Sequence, residues 1–156
     1  MQLDENGKPC KACDTLTDFQ NSLFTPSSRA PHQMSQPEPD AYRQEPPNSG
    51  QLGRSTWTYL HSLAAYYPQS PSIEQQQQAK QLVTVFANFY PCKPCARDFQ
   101  EYIKTHEVDT TSREKFSLWM CDAHNAVNTK LGKPSFDCRY WSQRWRDGWE
   151  ELMNKK

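Results

Sequence analysis

The segment IEQQQQAKQLVTVFANFY places Ala79, Leu82, Val83, Phe86, Phe89 and Tyr90 three and four residues apart. That spacing lines one side of an α-helix and cannot line one face of a strand, where apolar residues must alternate. The same period recurs on both sides of it. In GRSTWTYLHSLAAYYP, from Gly53 onward, Trp57, Leu60, His61 and Ala64 share a face, and Pro68 closes the run. Pro91 interrupts the second helix, and CKPCARDFQEYIK opens a third with Phe99, Tyr102 and Ile103 together. A fourth carries Phe116, Trp119, Met120, Ala123, Val127 and Leu131, and is stopped by Gly132 at a C′ position with Pro134 beyond. Ser72 with Gln75, and Thr111 with Glu114, have the spacing of capping boxes at two of the starts. A last short helix carries Trp141, Trp145 and Trp149 at steps of four. No run alternates with period two for long enough to make a strand. The expectation is an all-α protein: a four-helix bundle plus a short fifth helix.

Residues 1–50 read differently. The stretch TPSSRAPHQMSQPEPDAYRQEPPNSG is rich in Pro, Ser and Gln and nearly lacks large aliphatic residues. Such a segment buries too little apolar surface to offset its ordering entropy, and it reads as a flexible arm ahead of a folded domain at 51–156. An extended arm pinned along the domain surface is the alternative. As a random coil, a linker of about 35 residues spans roughly 30 Å. Eighteen lysines and arginines balance 18 aspartates and glutamates, so the basic footprint of a nucleic-acid binder is missing. No stretch approaches the length of a membrane span, and the start MQLDENGKPC lacks the apolar core of a secretory signal.

The six cysteines form two CxxC pairs, Cys10/Cys13 and Cys92/Cys95, plus the isolated Cys121 and Cys138. Cys121 lies in the fourth helix and Cys138 in the loop after it. A bridge between them would tie the Trp-rich last helix to the bundle, and two free buried thiols are the alternative. Two CxxC pairs are the usual supply of a zinc thiolate site. Zinc ribbons, however, space their pairs by about 15–20 residues. Here residues 14–91 intervene, and neither pair has a histidine at ligand spacing, so no metal is expected. A redox role suits the Cys92/Cys95 pair better. It follows Pro91 at a helix start, where unpaired N–H groups favour a thiolate, and its ring is small enough to close with little rearrangement. A thioredoxin would set such a pair in a sheet, which is missing here. A helical dithiol without metal ligands calls for an organic electron acceptor.

The fourth helix offers a place for one. Cys121, His124 and Asn128 share a stripe with Asn125 beside it, and buried amides need partners. His61 adds a polar group on the apolar face of the first helix. With Lys130, Lys133, Arg54 and the tryptophans, these residues suggest a pocket for a flat, polar-edged, phosphate-bearing cofactor. Tryptophans as plain core and lysines as a solvated face remain the rival reading. The residues alone leave the two open.

YPCKPCARDF, HNAVNTKLGKP, GRSTWTYLHSLAAYYP and RWRDGW together closely resemble the Erv/ALR family of FAD-dependent sulfhydryl oxidases, over residues from about 52 to 150. GKPCKACDTLTDFQ also resembles the shuttle segment of the mitochondrial intermembrane-space members, particularly the fungal kind. The resemblance implies an FAD-binding helical bundle, usually a homodimer, that makes disulfides in protein substrates. It implies that Cys10 and Cys13 take electrons from a reduced oxidoreductase of the intermembrane-space disulfide-relay import pathway. They would pass them to Cys92, the more exposed member of the core pair. Cys95 would sit against the isoalloxazine, with molecular oxygen or cytochrome c as the final acceptor. It further implies that Gly53, Arg54, Trp57, His61 and Tyr67 line FAD from the first helix and its end. Cys95, Cys121, His124, Asn125, Val127, Asn128, Lys130, Leu131 and Lys133 would line it opposite, with Arg144 and Trp145 closing over the adenosine part.

Overall fold

The computed structural model describes residues 45–149. Cys10, Cys13 and nearly all of the arm expected over 1–50 lie outside the described residues. Four α-helices make the body: α1 (Ser49–Ala65), α2 (Ile73–Phe89), α3 (Lys93–Thr105) and α4 (Arg113–Lys130). A 3-10 turn (Cys138–Tyr140) and a π-helical turn (Gln143–Asp147) follow. No strand occurs among the described residues. The helical bundle with a short fifth segment is borne out.

The boundaries follow the caps. Helix α1 starts earlier than Gly53, because Asn48 and Gln51 form a reciprocal capping box, each side chain accepting from the other's backbone N–H at 3.0 Å. Ser72 and Gln75 cap α2 in the same way. At α4 the cap lies one residue beyond the expected Thr111: Ser112 Oγ accepts from Lys115 N–H. Thr111 has spent its hydroxyl on Asp109 Oδ1 at 2.6 Å, so the next residue takes over. The end of α4 is a Schellman turn. Lys133 N–H bonds Asn128 O at 2.8 Å and Gly132 N–H bonds Thr129 O at 3.1 Å. Gly132 sits at φ +64°, a conformation that a side chain would strain.

The core forms where the helical stripes meet. Leu60 and Ala64 of α1, Ala79, Val83 and Ala87 of α2, Phe99 of α3, and Phe116, Trp119, Met120 and Ala123 of α4 make one buried cluster. Helix α1 packs chiefly on α4, and α2 on α3. The connection into α4 is tied under the end of α1. Tyr67 Oη donates to Thr110 O at 3.2 Å, and the Arg113 guanidinium donates to Tyr67 O.

Two stripes read from the sequence are narrower in the structure. On α2, the stripe members Leu82 and Phe89 stand 41% and 81% exposed, because the buried side of the helix is confined to Ala79, Val83 and Ala87. The three tryptophans at steps of four do not share one helix. The π-turn shifts the phase, and Gly148 at φ +81° ends the segment, so Trp149 lies beyond it and meets the Tyr140 ring instead, at 5.5 Å.

Candidate functional site

A cavity of about 460 Å³ opens where α1, the α2–α3 elbow, the end of α4 and the π-turn converge. Helix α1 contributes Gly53, Arg54 and Trp57 to its lining, and α4 with its terminal turn contributes His124, Val127, Asn128, Leu131 and Lys133. Arg144 and Trp145 reach it from the π-turn, and Cys95 from the first turn of α3. Leu131 is 61% exposed, a wasteful place for leucine unless something covers it.

Cys95 is disulfide-bonded to Cys92, with Cα atoms 5.3 Å apart. Cys92 is the N-cap residue of α3 and Cys95 lies in its first turn, so the pair belongs to a helix start, where backbone N–H groups lack helical partners. Exposure runs opposite to the expectation: Cys95 is exposed and Cys92 is half-buried. The reason is geometric, since the first turn of α3 carries Cys95 onto the cavity while Cys92 closes the elbow. Gln100 braces that elbow by donating to Ala87 O at 3.0 Å.

An aromatic ladder stands beside the sulfurs. His124 stacks on Trp57 with ring centroids 4.1 Å apart and planes within 6°. His61 stacks on Trp145 at 4.5 Å and 2°. One hydrogen bond joins the two stacks, His61 Nε2 to His124 Nδ1 at 2.9 Å. The Arg144 guanidinium lies 4.0 Å from the Trp145 ring centroid, at cation–π distance.

Five residues expected around a cofactor are placed elsewhere. Tyr67 is buried behind α1 with its hydroxyl on Thr110 O. Cys121, 3% exposed, is disulfide-bonded to Cys138 with Cα atoms 5.8 Å apart. The Asn125 carboxamide is consumed by the backbone of Phe136, donating to its carbonyl and accepting from its N–H, both at 2.9 Å. Both polar ends are therefore spent on fixing the loop after α4. Lys130 Nζ pairs with Asp98 on α3 at 3.1 Å instead of facing the cavity. His61 is 3% exposed and stands behind His124. Conversely, Phe86, Tyr90 and Phe99 line the cavity beside Cys95. The sequence marked them as stripe residues only, although Tyr90 directly precedes Pro91–Cys92.

The lining suits one class of occupant. Its charged members are Arg54, Lys133 and Arg144, with no carboxylate among them, and two indole rings supply flat walls. Gly53 adds a bare patch: a Cβ built on it meets no protein atom within 4 Å, so the protein itself does not demand glycine there. An aromatic ring system bearing phosphate fits that donor set.

Burial holds both imidazoles neutral. It lowers His61 from 6.5 to about 3, aided by His124 and then Arg144. His124 is lowered to about 4 by burial and then Lys133. Below pH 6.5 the unfolded chain takes up protons that the folded one refuses. Stability is thus complete above that pH and is lost as pH falls towards 4. His61 alone should cost ~2 kcal/mol at pH 5, with His124 adding less because it is half-exposed. Thermal melts between pH 7.5 and 5 are expected to show the decline, and His61→Gln should make it shallower. An unchanged slope in that variant would remove His61 as its source.

Comparison with known proteins adds an independent line. Residues 54–146 match the Erv1 / Alr family. The chain is similar to the mitochondrial FAD-linked sulfhydryl oxidase ERV1 of Saccharomyces cerevisiae, 45% identical over 95% of this chain and 88% of the relative. The mitochondrial FAD-linked sulfhydryl oxidase erv1 of Schizosaccharomyces pombe is 38% identical over 90% and 88%. Among solved structures, the yeast Erv1 core superposes with TM-score 0.69 at 46% identity, covering 79% of this chain and all of that one. The FAD binding domain of Erv1 from Saccharomyces cerevisiae gives 0.65 at 50% identity, over 67% of this chain and all of that one.

Proposed function

The chain belongs to the Erv1 / Alr family, and from that premise we propose that it is an FAD-linked sulfhydryl oxidase that makes disulfides in protein substrates. The observation that carries the reading is the Cys92–Cys95 disulfide, whose Cys95 lines a cavity walled by tryptophan and ringed by cations. Trp57, His124 and Trp145 would hold the ring systems of FAD, and Arg54, Lys133 and Arg144 its pyrophosphate. Bound there, FAD would supply a two-electron acceptor for the Cys92/Cys95 thiolates, with molecular oxygen or cytochrome c as the proposed final acceptor.

The protein's own sulfurs handle the earlier steps. A substrate thiolate attacks Cys92 Sγ, the Cys92–Cys95 bond breaks, and Cys95 leaves as a thiolate. The second substrate thiol then gives up its proton and attacks the mixed disulfide. Cys92 is released, and the substrate carries the new S–S bond. The N-terminal helix end beside the pair stabilises the Cys95 thiolate, which stands at the cavity wall. The pair Cys10/Cys13 is proposed as a shuttle carried on an arm over residues 1–50, taking electrons from a reduced oxidoreductase and delivering them to Cys92. The mitochondrial names of the relatives support a mitochondrial location. The intermembrane space, with its disulfide-relay import pathway, is the compartment that suits an oxidant of protein thiols. No helix among the described residues is long and apolar enough to cross a membrane. The exposed Leu82–Val85–Phe89 face of α2 suits a second copy of the chain, and sedimentation should read a homodimer.

One absorption scan tests the cofactor. The purified protein should show an oxidised flavin spectrum that bleaches on adding a dithiol under argon. A colourless protein that takes up no FAD would overturn the reading. The shuttle is tested separately. Cys10→Ser should keep oxidation of a small dithiol within about twofold, while protein-thiol oxidation falls by tenfold or more, on the order of one lost relay step. Equal loss on both substrates would remove the shuttle.

A further inference from the structure

His124 has two ring nitrogens, and the structure commits one of them. Its Nδ1 is 2.9 Å from His61 Nε2, so Nε2 is the only ring nitrogen left for a molecule in the cavity. His61 does not line the cavity, is 3% exposed and is stacked on Trp145. Any influence it has on an occupant must act through another residue. A single proton must lie between the two facing nitrogens, and its owner decides what His124 offers on its other side. If His61 donates, His124 presents an Nε2–H donor. If His124 donates, it presents a bare acceptor.

The lining decides between these. Arg54, Lys133 and Arg144 select an occupant rich in acceptor oxygens, and no carboxylate lines the cavity to want the opposite polarity. From this juxtaposition we infer that His61 is a positioning residue: its Nε2–H donates to His124 Nδ1, fixing His124 as the Nε2–H tautomer that donates to an acceptor atom of FAD. The inference rests on the proposed FAD reading and deepens it. The same bond couples two walls of the cavity. Trp57 on α1 and Trp145 on the π-turn are each stacked on one of the paired rings. Ring orientation is thereby set from both sides, as second-layer partners set the orientation of metal-bound histidines.

The test uses the full-length holoprotein, 15N-labelled at histidine. Long-range 15N–1H spectra of the wild type should show His124 protonated at Nε2 and unprotonated at Nδ1. FAD affinity is then measured by fluorescence titration. His61→Phe keeps a ring against Trp145 and removes the bond, and FAD should bind about tenfold more weakly, one lost hydrogen bond to the positioning partner. His61→Gln places an amide N–H near the old Nε2 and should recover affinity to within about threefold. A merely space-filling role would give the reverse order, Phe outperforming Gln, and would overturn the inference. Wild-type protein that binds FAD with His124 protonated at Nδ1 overturns it as well, and that result is decisive even if His61→Phe fails to fold. Wild-type protein that takes up no FAD sinks the cofactor reading itself, and this inference with it.

Discussion

Cys95→Ser is expected to fold, retain FAD and lose essentially all thiol oxidation, at least about a thousandfold in kcat with either a small dithiol or a protein thiol. The size follows from position. Cys95 is the sulfur of the core pair that lines the cavity, so every electron pair entering through Cys92 must leave through it, whatever the donor. A serine hydroxyl neither forms the disulfide nor ionises near neutral pH. Stopped-flow reduction of the flavin by excess dithiol checks this directly, because the variant should stay oxidised on the timescale of wild-type bleaching. Reduction at the normal rate would place the electron path elsewhere. Cys10→Ser should lie at the other extreme, with flavin reduction by small dithiols preserved.

The double variant Cys121→Ser/Cys138→Ser is expected to lose ~3 kcal/mol through the restored freedom of its unfolded chain. For a folded domain of this size that corresponds to a melting temperature lower by about 10–20 °C. FAD retention should fall with it. The bridge ties α4 to the 3-10 turn, and Arg144 and Trp145 reach the cavity from the segment immediately after. Asn125, bonded to Phe136 at both ends of its carboxamide, supports the same loop and should soften the loss. Calorimetry and flavin release on heating read the two effects together. A variant of unchanged stability that is catalytically dead would show that this disulfide carries electrons instead of holding the fold.

Much of the architecture was legible in the residues. Apolar spacing of three and four is a local property, and it announced all four helices before any long-range contact was known. Caps were legible where two residues cooperate at fixed spacing, as at Ser72 and Gln75. They were missed at Asn48 and Gln51, where an N-x-x-Q pattern of the same spacing stood in a polar segment with no apolar stripe yet begun. The Thr111 cap failed because Asp109, two residues earlier, competed for the hydroxyl. The α2 stripe misled in the other direction. Leu82 and Phe89 belong to it by spacing, yet they stand exposed outside the buried Ala79–Val83–Ala87 line.

What the chain alone determined was its vocabulary. It settled the helical period, the proline-bounded elbow carrying two sulfurs, and the residue types that recognise a phosphate-bearing aromatic group. Only tertiary structure decided the assignments. Lys130 and Lys133 are three residues apart in one sequence motif, but one pairs with Asp98 and the other turns to the cavity through the Schellman bend. Asn125 and Asn128 divide in the same way, one clamping Phe136 and the other lining the cavity. His61 and His124, 63 positions apart, become a hydrogen-bonded pair. Periodicity is written in neighbouring residues, whereas a polar group's partner is whichever group the fold brings within about 3 Å, often from another helix.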